Sequence, residues 1–206
     1  MPVEGPQYPV QLVLTGRPVL VVGGGRVALG KVQGLLAAGA VVTVVAPQLD
    51  AELAAMEGLV LERRGYQPGE VAGYRLVVTA TDDPAVNRQV YEEAEAAGVW
   101  VNSADDPANC TFTLPAVVRR GSITVAIGTD GQSPAYAAWL RGRLEAELGP
   151  EHEVLLGLLA ERRQALRSEG IATEGLSWQE ALESGMLDLV RAGRVAEARE
   201  LLQACL

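Results

Sequence analysis

The glycine-rich stretch GGGRVA, residues 23–28, combines residue types and a spacing that can do chemistry. It fits the pattern G-x-G-x-x-A through Gly23, Gly25 and Ala28. In such a turn the first glycine permits a tight bend, the second lets the backbone approach a pyrophosphate, and the small third residue lets a helix pack closely on a strand. Free N–H groups at the start of that helix favour phosphate. The stretch predicts a dinucleotide site, with a purely structural glycine turn as the alternative.

The residue that would hold the ribose of the cofactor is missing from this pattern. In NAD-binding units an acidic residue commonly follows the glycines by about 20 residues, at the end of the second strand. This chain has Ala46, Pro47 and Gln48 there, and no basic residue that would suit a 2′-phosphate. We therefore expect NAD rather than NADP, with the ribose held in another way, for example by main-chain groups of Pro47 and Gln48.

The elements that must position the glycines form a βαβ unit. Residues 18–22 are an apolar, β-branched run that predicts a buried strand, and residues 41–46 predict a second one. Between them, residues 27–38 have the apolar spacing of a helix packed on a sheet. Because βαβ units are nearly always parallel and right-handed, the chain to about residue 112 is predicted to form a doubly wound parallel sheet. The further elements expected in it are strands at 59–64, 74–81 and 99–102 and a helix from Pro84 to Gly98.

The rest of the chain has a different pattern, a hairpin followed by helices. Two strand-like runs surround Arg120 and Gly121, which is typical of a β-hairpin. Since an isolated hairpin is only marginally stable in water, we expect it to pair with another element, for example one of a second subunit. Trp139 and Trp178 are expected to pack the helices together. The helical patterns follow the N-cap Ser133 and cover residues 134–148, 151–167 and 177–206.

Together these patterns predict an α/β fold, a Rossmann-type doubly wound parallel sheet followed by a β-hairpin dimerisation region and a helical C-terminal domain. The expected domains are an NAD-binding Rossmann domain at residues 1–112, a hairpin region at 113–148, and a helical domain at 149–206.

Composition argues against several classes of function. The formal net charge of −9 disfavours a general affinity for nucleic acid or for anionic membranes. No apolar run reaches membrane-spanning length, and the N-terminus lacks the basic region of a signal peptide. Cys110 and Cys205 lie far apart and His152 is the single histidine, so a disulfide framework, a zinc site and a histidine-based triad are all disfavoured. We expect a cytoplasmic protein.

Several longer segments resemble one family. They are VLVVGGGRVALGKVQGLLAAGAVVTVVAP, VVTATDDPAVN and VNSADDPANCTFTLPAVVRRGSITVAIGTDGQSPAYAAWLR, and in this order they are similar to the precorrin-2 dehydrogenase/ferrochelatase module of siroheme synthases. The resemblance covers about residues 8 to 148. It implies NAD-dependent oxidation of precorrin-2 to sirohydrochlorin, with ferrous iron (Fe2+) inserted by some members. It also implies an interlocked homodimer joined through the hairpin region, which makes residues 113–148 a dimerisation and substrate region. The methyltransferase domain that some siroheme synthases carry is not expected in a chain of this length.

The resemblance also implies roles for individual residues. The catalytic aspartate falls on Asp105, which would take a proton as the macrocycle is oxidised and accept pyrrole protons if metal enters. Its neighbour Asp106 remains an alternative. No fixed metal site is implied, since iron would be a substrate. The implied cofactor contacts are Gly23, Gly24, Gly25, Arg26, Val27, Pro47, Gln48, Thr81, Asp82 and Asn87. For Asp82 and Asp83, a pair of acidic residues at a helix N-terminus is an equally good interpretation.

The substrate implied by the resemblance carries many carboxylates. Thr129, in the loop GTDGQSP, stands where such a group would be bound. Arg119, Arg120, Arg141 and Arg143 are expected to face the substrate, because forked guanidinium groups suit carboxylates. For each arginine taken alone, an ordinary solvent-exposed position is the alternative.

Two other functions are compatible with parts of the sequence. One is a chelatase with a vestigial nucleotide fold, against which the intact glycine turn argues. The other is an NAD-sensing or nucleotide-binding regulatory module without chemistry, which would need neither Asp105 nor the arginines.

Overall fold

The computed structural model describes residues 6–104 and 106–206. The chain divides into two compact units, Met1–Leu114 with Asp130–Gln132, and Pro115–Thr129 with Ser133–Leu206. Among the described helices, none combines the length and the apolar character needed to cross a bilayer.

The first unit is built on a parallel sheet of five strands. The strands are β1 (Pro18–Val22), β2 (Val41–Val45), β3 (Leu59–Glu62), β4 (Leu76–Thr79) and β5 (Trp100–Ser103). Their order in the sheet is β3-β2-β1-β4-β5, so the direction of winding reverses between β1 and β4. In register, Val19 of β1 lies between Val42 of β2 and Leu76 of β4. In open α/β sheets the carboxyl end of such a reversal is the usual place for a ligand.

Helices cover both faces of this sheet. They are α1 (Arg26–Ala37), α2 (Ala51–Ala55) and α3 (Pro84–Ala97), with a short 3-10 helix at Pro107–Asn109. Val19 and Val21 pack into the cluster that contains residues of α1 and α2, whereas Leu20 and Val22 pack on the α3 side. The central strand β1 is apolar throughout because both of its faces are buried. The predicted doubly wound parallel sheet is confirmed, but α2 was not expected from the sequence.

A cluster of charged and polar groups fixes the connection between β3 and β4. Glu70 forms an ion pair with Arg64 and accepts a hydrogen bond of 2.7 Å from the N–H of Gln67. Tyr66 donates its hydroxyl to Glu93 of α3 at 2.5 Å. The hydrogen bond from Arg64 lowers the pKa of the Glu70 carboxyl, while partial burial opposes the shift. Glu93 therefore ties the connection to α3, while the ionised Glu70 holds Arg64 and Gln67 together within the connection.

We predict that Glu70 makes stability depend on pH in the acid range. Since the pKa is lowered in the folded chain, the stabilisation is complete above the ordinary glutamate value of 4.5 and is lost as the pH falls below it. Glu70→Gln should therefore lower Tm at neutral pH. The difference in Tm between this variant and wild type should become smaller as the pH is lowered well below 4.5. Thermal unfolding followed by circular dichroism measures this, with exposed Glu57→Gln as the control. A difference that stays constant with pH would contradict the prediction.

The second unit contains a hairpin and five helices among its described residues. Strands β6 (Ala116–Arg120) and β7 (Ile123–Ile127) pair antiparallel, with Val118 opposite Val125. The turn uses Gly121 with φ +52°. The predicted hairpin is confirmed. The helices are α4 (Pro134–Glu147), α5 (Glu151–Ser168), α6 (Trp178–Glu183), α7 (Met186–Arg191) and α8 (Val195–Cys205).

The helical pattern predicted over residues 177–206 forms three separate helices, α6, α7 and α8. Gly185 and Gly193 adopt φ values of +91° and +74°, which belong to the left-handed region and interrupt a helix. The three short helices enclose a core with α5 that includes Leu158, Met186 and Leu202.

Helix α4 begins as predicted but leaves most of its surface exposed. Ser133 caps it, since its hydroxyl accepts a hydrogen bond of 3.2 Å from the N–H of Tyr136. Trp139 does not pack between helices as expected: it is 53% exposed and stacks on Tyr136, with ring centroids 5.5 Å apart. Trp178, in contrast, packs against the C-terminal core and donates its indole N–H to the carbonyl of Thr173 at 2.9 Å.

Candidate functional site

The glycine turn after β1 is wedged between the ends of two neighbouring strands. Gly23 has φ +120°, and a Cβ there would lie 2.2 Å from the carbonyl oxygen of Ala80, just after β4. A Cβ on Gly24 would lie 2.2 Å from the carbonyl oxygen of Gln48, just after β2. Gly25 differs, because a Cβ there would have no atom within 4 Å. The turn is thus closed towards the protein and open at Gly25.

The N-terminus of α1 is left free of capping side chains. Its N-cap residue, Gly25, has no side chain to accept from the first N–H groups, and the first turn contains no acidic residue. The N–H groups of this turn therefore lack the partners that an ordinary N-cap supplies. Arg26 and Val27, the first residues of the helix, are exposed. The open side of the turn and the uncapped N–H groups fit a pyrophosphate.

The loop after β4 brings together two of the predicted cofactor residues. The hydroxyl of Thr81 donates to Oδ1 of Asn87 at 2.8 Å, and Nδ2 of Asn87 donates to the carbonyl of Thr81 at 3.0 Å. Asn87 is only 7% exposed, so these bonds satisfy a buried amide. Asp83 caps α3, accepting from the N–H of Ala85 at 2.9 Å. The capping interpretation thus holds for Asp83, whereas Asp82 is exposed and is not the cap.

The segment after β2 supplies main-chain surface rather than a free acidic side chain. Pro47 and Gln48 are exposed, and the Gln48 carbonyl faces Gly24. Asp50 is the nearest acidic residue, but its carboxylate caps α2 by accepting from the N–H of Glu52 at 2.9 Å. Its own N–H donates to the carbonyl of Gly24 at 2.7 Å, which joins this segment to the glycine turn.

The loop after β5 carries the predicted catalytic residue. Asp105 itself lies outside the described residues. Asp106, the alternative, has its carboxylate bonded within the loop, where it accepts from Nδ2 of Asn109 at 2.6 Å. Asn109 is 5% exposed and was missed by sequence reasoning. The spacing D-P-A-N, typical of a turn closed by an aspartate, was the available signal.

Cys110 anchors the far end of this loop. Its sulfur accepts from the N–H of Ser103 at 3.2 Å and lies 3.4 Å from the carbonyls of Ser103 and Asp106. Burial raises the pKa of the Cys110 thiol, although the Ser103 N–H partly opposes the shift. A raised pKa leaves the thiol neutral, which suits an anchoring residue and disfavours a nucleophile.

Arg120 of the hairpin is engaged with the end of α4. Its Nε donates to the carbonyl of Leu148 at 2.7 Å, and its Nη2 donates to the carbonyl of Glu145 at 3.0 Å. These carbonyls belong to the last turn of α4, which has no intrahelical donors for them. Arg120 therefore closes the helix and has few donors left for a ligand.

We predict that Arg120→Ala lowers the free energy of unfolding of the second unit by about 1–3 kcal/mol, because two carbonyls lose a charged donor. Urea unfolding followed by tryptophan fluorescence measures this. Arg119→Ala is the matched control, since Arg119 is exposed on the same strand. Equal stability of the two variants would show that the hydrogen bonds of Arg120 have no net effect.

The other predicted substrate residues lie in the second unit. Arg119 is exposed, and Arg141 is exposed beside Glu145 at 3.9 Å. Thr129 is partly engaged, since its hydroxyl lies 3.3 Å from the carbonyl of Ser133 at the start of α4. Over residues 6–104 and 106–206, no group of three or more His, Cys, Asp and Glu side chains is arranged to hold a metal ion.

Comparisons with known proteins also indicate a nucleotide-binding domain at the start of the chain. Residues 10–116 match the family described as "Putative NAD(P)-binding", and residues 120–147 match the family described as "Sirohaem biosynthesis protein central". A solved structure of SirC, precorrin-2 dehydrogenase, is 31% identical with a TM-score of 0.79, and the match covers 97% of this chain and 98% of that one.

Curated siroheme synthases match over most of this chain as well. The Pseudomonas putida protein is 41% identical over 197 residues, 93% of this chain and 42% of its own length. The Nitrosococcus oceani protein is 40% identical over 207 residues, 97% of this chain and 44% of its own length. The chain thus spans less than half the length of these curated relatives. With the resemblance in its sequence confirmed by these matches, the chain belongs to the family of precorrin-2 dehydrogenases and siroheme synthase dehydrogenase modules.

Proposed function

We propose that the chain is an NAD-dependent precorrin-2 dehydrogenase that forms sirohydrochlorin. The observation that carries this proposal is the glycine turn at the reversal between β1 and β4, open at Gly25 and followed by the uncapped N-terminus of α1. It is supported by the near-complete coverage of a related precorrin-2 dehydrogenase. The activity belongs to the siroheme or cobalamin branch of tetrapyrrole biosynthesis.

The reaction removes two electrons and two hydrogens from the macrocycle. When bound, the nicotinamide ring accepts a hydride, and the second hydrogen leaves the tetrapyrrole as a proton. Asp105 takes that proton as general base. Asp106 is less suited to this role, because its carboxylate is held by Asn109.

The first unit supplies the cofactor contacts in this proposal. The N–H groups at Gly25, Arg26 and Val27 bind the pyrophosphate. Main-chain groups of Pro47 and Gln48 border the ribose. The further contacts proposed are Gly23, Gly24, Thr81, Asp82 and Asn87. Residues 46–52 contain two carboxylates and no basic side chain, which favours NAD because a 2′-phosphate would be repelled there.

The second unit supplies groups for the substrate carboxylates. Arg119 and Arg141 are exposed and have free donors for this role, and Thr129 offers a hydroxyl. Arg120 contributes mainly by closing α4. Ferrous iron is proposed as a further substrate of the same site, with Asp105 accepting pyrrole protons as the metal enters.

A homodimer is proposed as the working form. Helix α4 exposes Tyr136 and Trp139 at 54% and 53%, and their stacked rings form an apolar surface on the unit that contains the hairpin. Sedimentation of the wild type and of Tyr136→Ser/Trp139→Ser tests whether that surface joins two copies. The cytoplasmic location, and the lack of nucleic-acid and membrane partners, remain predictions from composition.

An anaerobic assay with purified protein and precorrin-2 tests the proposed activity. NAD and NADP are supplied separately, and reduced cofactor and sirohydrochlorin are followed by absorbance. We expect turnover with NAD to exceed turnover with NADP, and ferrous iron added afterwards to report chelation. Nucleotide binding without any turnover would contradict a dehydrogenase and favour the nucleotide-sensing module.

A further inference from the structure

Two consecutive residues of α3 hold the two loops that border the proposed site. Asn87 bonds to Thr81 in the loop after β4. Its neighbour Arg88 reaches the loop after β5, where Nη1 donates to Oδ1 of Asn109 at 3.1 Å. One helix thus contacts the loop proposed to bind the cofactor and the loop proposed to carry the general base.

The contact from Arg88 continues through Asn109 to Asp106. The amide of Asn109 uses both ends, because Oδ1 accepts from Arg88 and Nδ2 donates to Asp106 at 2.6 Å. Asn109 is buried, so the loss of either partner would leave an amide group unsatisfied away from water. The three side chains therefore define a fixed position for the start of the 3-10 helix.

The other end of the loop is attached to β5. Cys110 bonds to Ser103, and Nδ2 of Asn102 donates to the carbonyl of Phe112 at 3.0 Å. The main chain of Asp106 is also held to β5, because its N–H donates to the carbonyl of Ser103 at 3.4 Å. Helix α3 adds a contact to the Asp106 carboxylate, through Asn109.

We propose that Arg88 is a positioning residue for the dehydrogenation, acting through Asn109 and Asp106 on the loop that follows β5. This inference rests on the proposed function. Arg88 touches neither the glycine turn nor the proposed substrate residues among its described contacts. Its effect is on geometry, and misplacement of a catalytic group by about 1 Å can lower a rate by about 10²-fold.

Kinetics of matched variants test the role of Arg88. We expect Arg88→Ala and Asn109→Ala each to lower kcat by about tenfold or more, with KM and the Kd for NAD within about twofold. Arg88→Lys, which keeps a cationic donor, should recover part of kcat. The double variant should be no slower than the slower single one, because both changes break one chain of contacts.

Glu92→Gln is the control for the other ion pair of Arg88. Glu92 is 2.7 Å from Nε of Arg88, is exposed, and forms no hydrogen bond with the described residues of the loop. An exposed pair contributes little, so kcat should stay within about twofold of wild type. A loss in Glu92→Gln equal to that in Arg88→Ala would assign the effect to this ion pair and overturn the proposal.

A thiol probe tests the same idea without turnover. In a Cys205→Ser background, Cys110 is the single cysteine of the chain. Arg88→Ala should raise its rate of reaction with a disulfide reagent by about fivefold or more, because a loosened loop exposes the sulfur more often. Glu92→Gln should leave that rate unchanged, and equal Tm values exclude general unfolding.

The kinetic experiment and the thiol probe together distinguish failure of this inference from failure of the proposed function. If wild type oxidises precorrin-2 but Arg88→Ala has wild-type kcat and thiol reactivity, the positioning role is wrong and the function stands. If wild type shows no turnover while the thiol probe still responds to Arg88→Ala, the loop contact is real and the proposed function is wrong.

Discussion

Asp105→Asn is expected to lower kcat for precorrin-2 oxidation by about 10²–10⁴-fold, because a positioned general base contributes about that much to a proton transfer. Asparagine has nearly the same shape but cannot take the proton that leaves the macrocycle. NAD affinity should remain within about twofold, since the proposed nucleotide contacts lie on other loops. Initial rates of NADH formation and calorimetric titration with NAD measure the two effects.

Asp106→Asn separates the two neighbouring aspartates. Its amide oxygen can still accept the hydrogen bond that Asn109 donates to Asp106. We therefore expect a loss of kcat of no more than about fivefold. If Asp106→Asn were the inactive variant and Asp105→Asn the active one, the two assignments would be exchanged.

Gly25→Ala is expected to weaken NAD binding by at least about tenfold, or about 1.4 kcal/mol, without lowering Tm. The backbone there, with φ −84°, accepts alanine, and the added Cβ meets no protein atom within 4 Å. The methyl group instead occupies the open side of the turn, where a pyrophosphate must approach the N–H groups of α1. Equilibrium titration with NAD measures the loss of affinity, and thermal unfolding of the same preparation tests whether Tm is unchanged.

Gly23→Ala provides the contrast. Its Cβ would lie 2.2 Å from the Ala80 carbonyl at a φ of +120°, so this change should destabilise the fold by about 2 kcal/mol or more. A Gly25→Ala variant with wild-type NAD affinity would contradict phosphate binding at this turn, whatever the behaviour of Gly23→Ala.

The Rossmann-type sheet could be predicted because its signals are local. β1 is a continuous apolar run, and β2 is one apart from Thr43. Gly39 and Gly98, with φ +75° and +66°, follow α1 and α3, where glycine is the usual helix terminator. Helix α2 was missed because five residues are too few to show helical periodicity. The division at Gly185 and Gly193 was missed because apolar spacing does not report backbone dihedral angles.

The site was predictable only where its chemistry lies in consecutive residues. The glycine turn is such a case, because tight bend, backbone approach and helix start follow one another along the chain. Arg88 and Asn109 are 21 residues apart, and Arg120 and Leu148 are 28 apart. Tertiary packing selects such partners, so the contact of Arg120 with the end of α4 could not be predicted from the sequence.

A single-turnover experiment tests the central claim most directly. Enzyme in excess over precorrin-2 is mixed anaerobically with NAD, and NADH and sirohydrochlorin are followed together. The account predicts equal amounts of both products, formed at the same rate, because one hydride leaves the macrocycle for each molecule oxidised. Sirohydrochlorin formed without NADH, or no oxidation although NAD is bound, would contradict it.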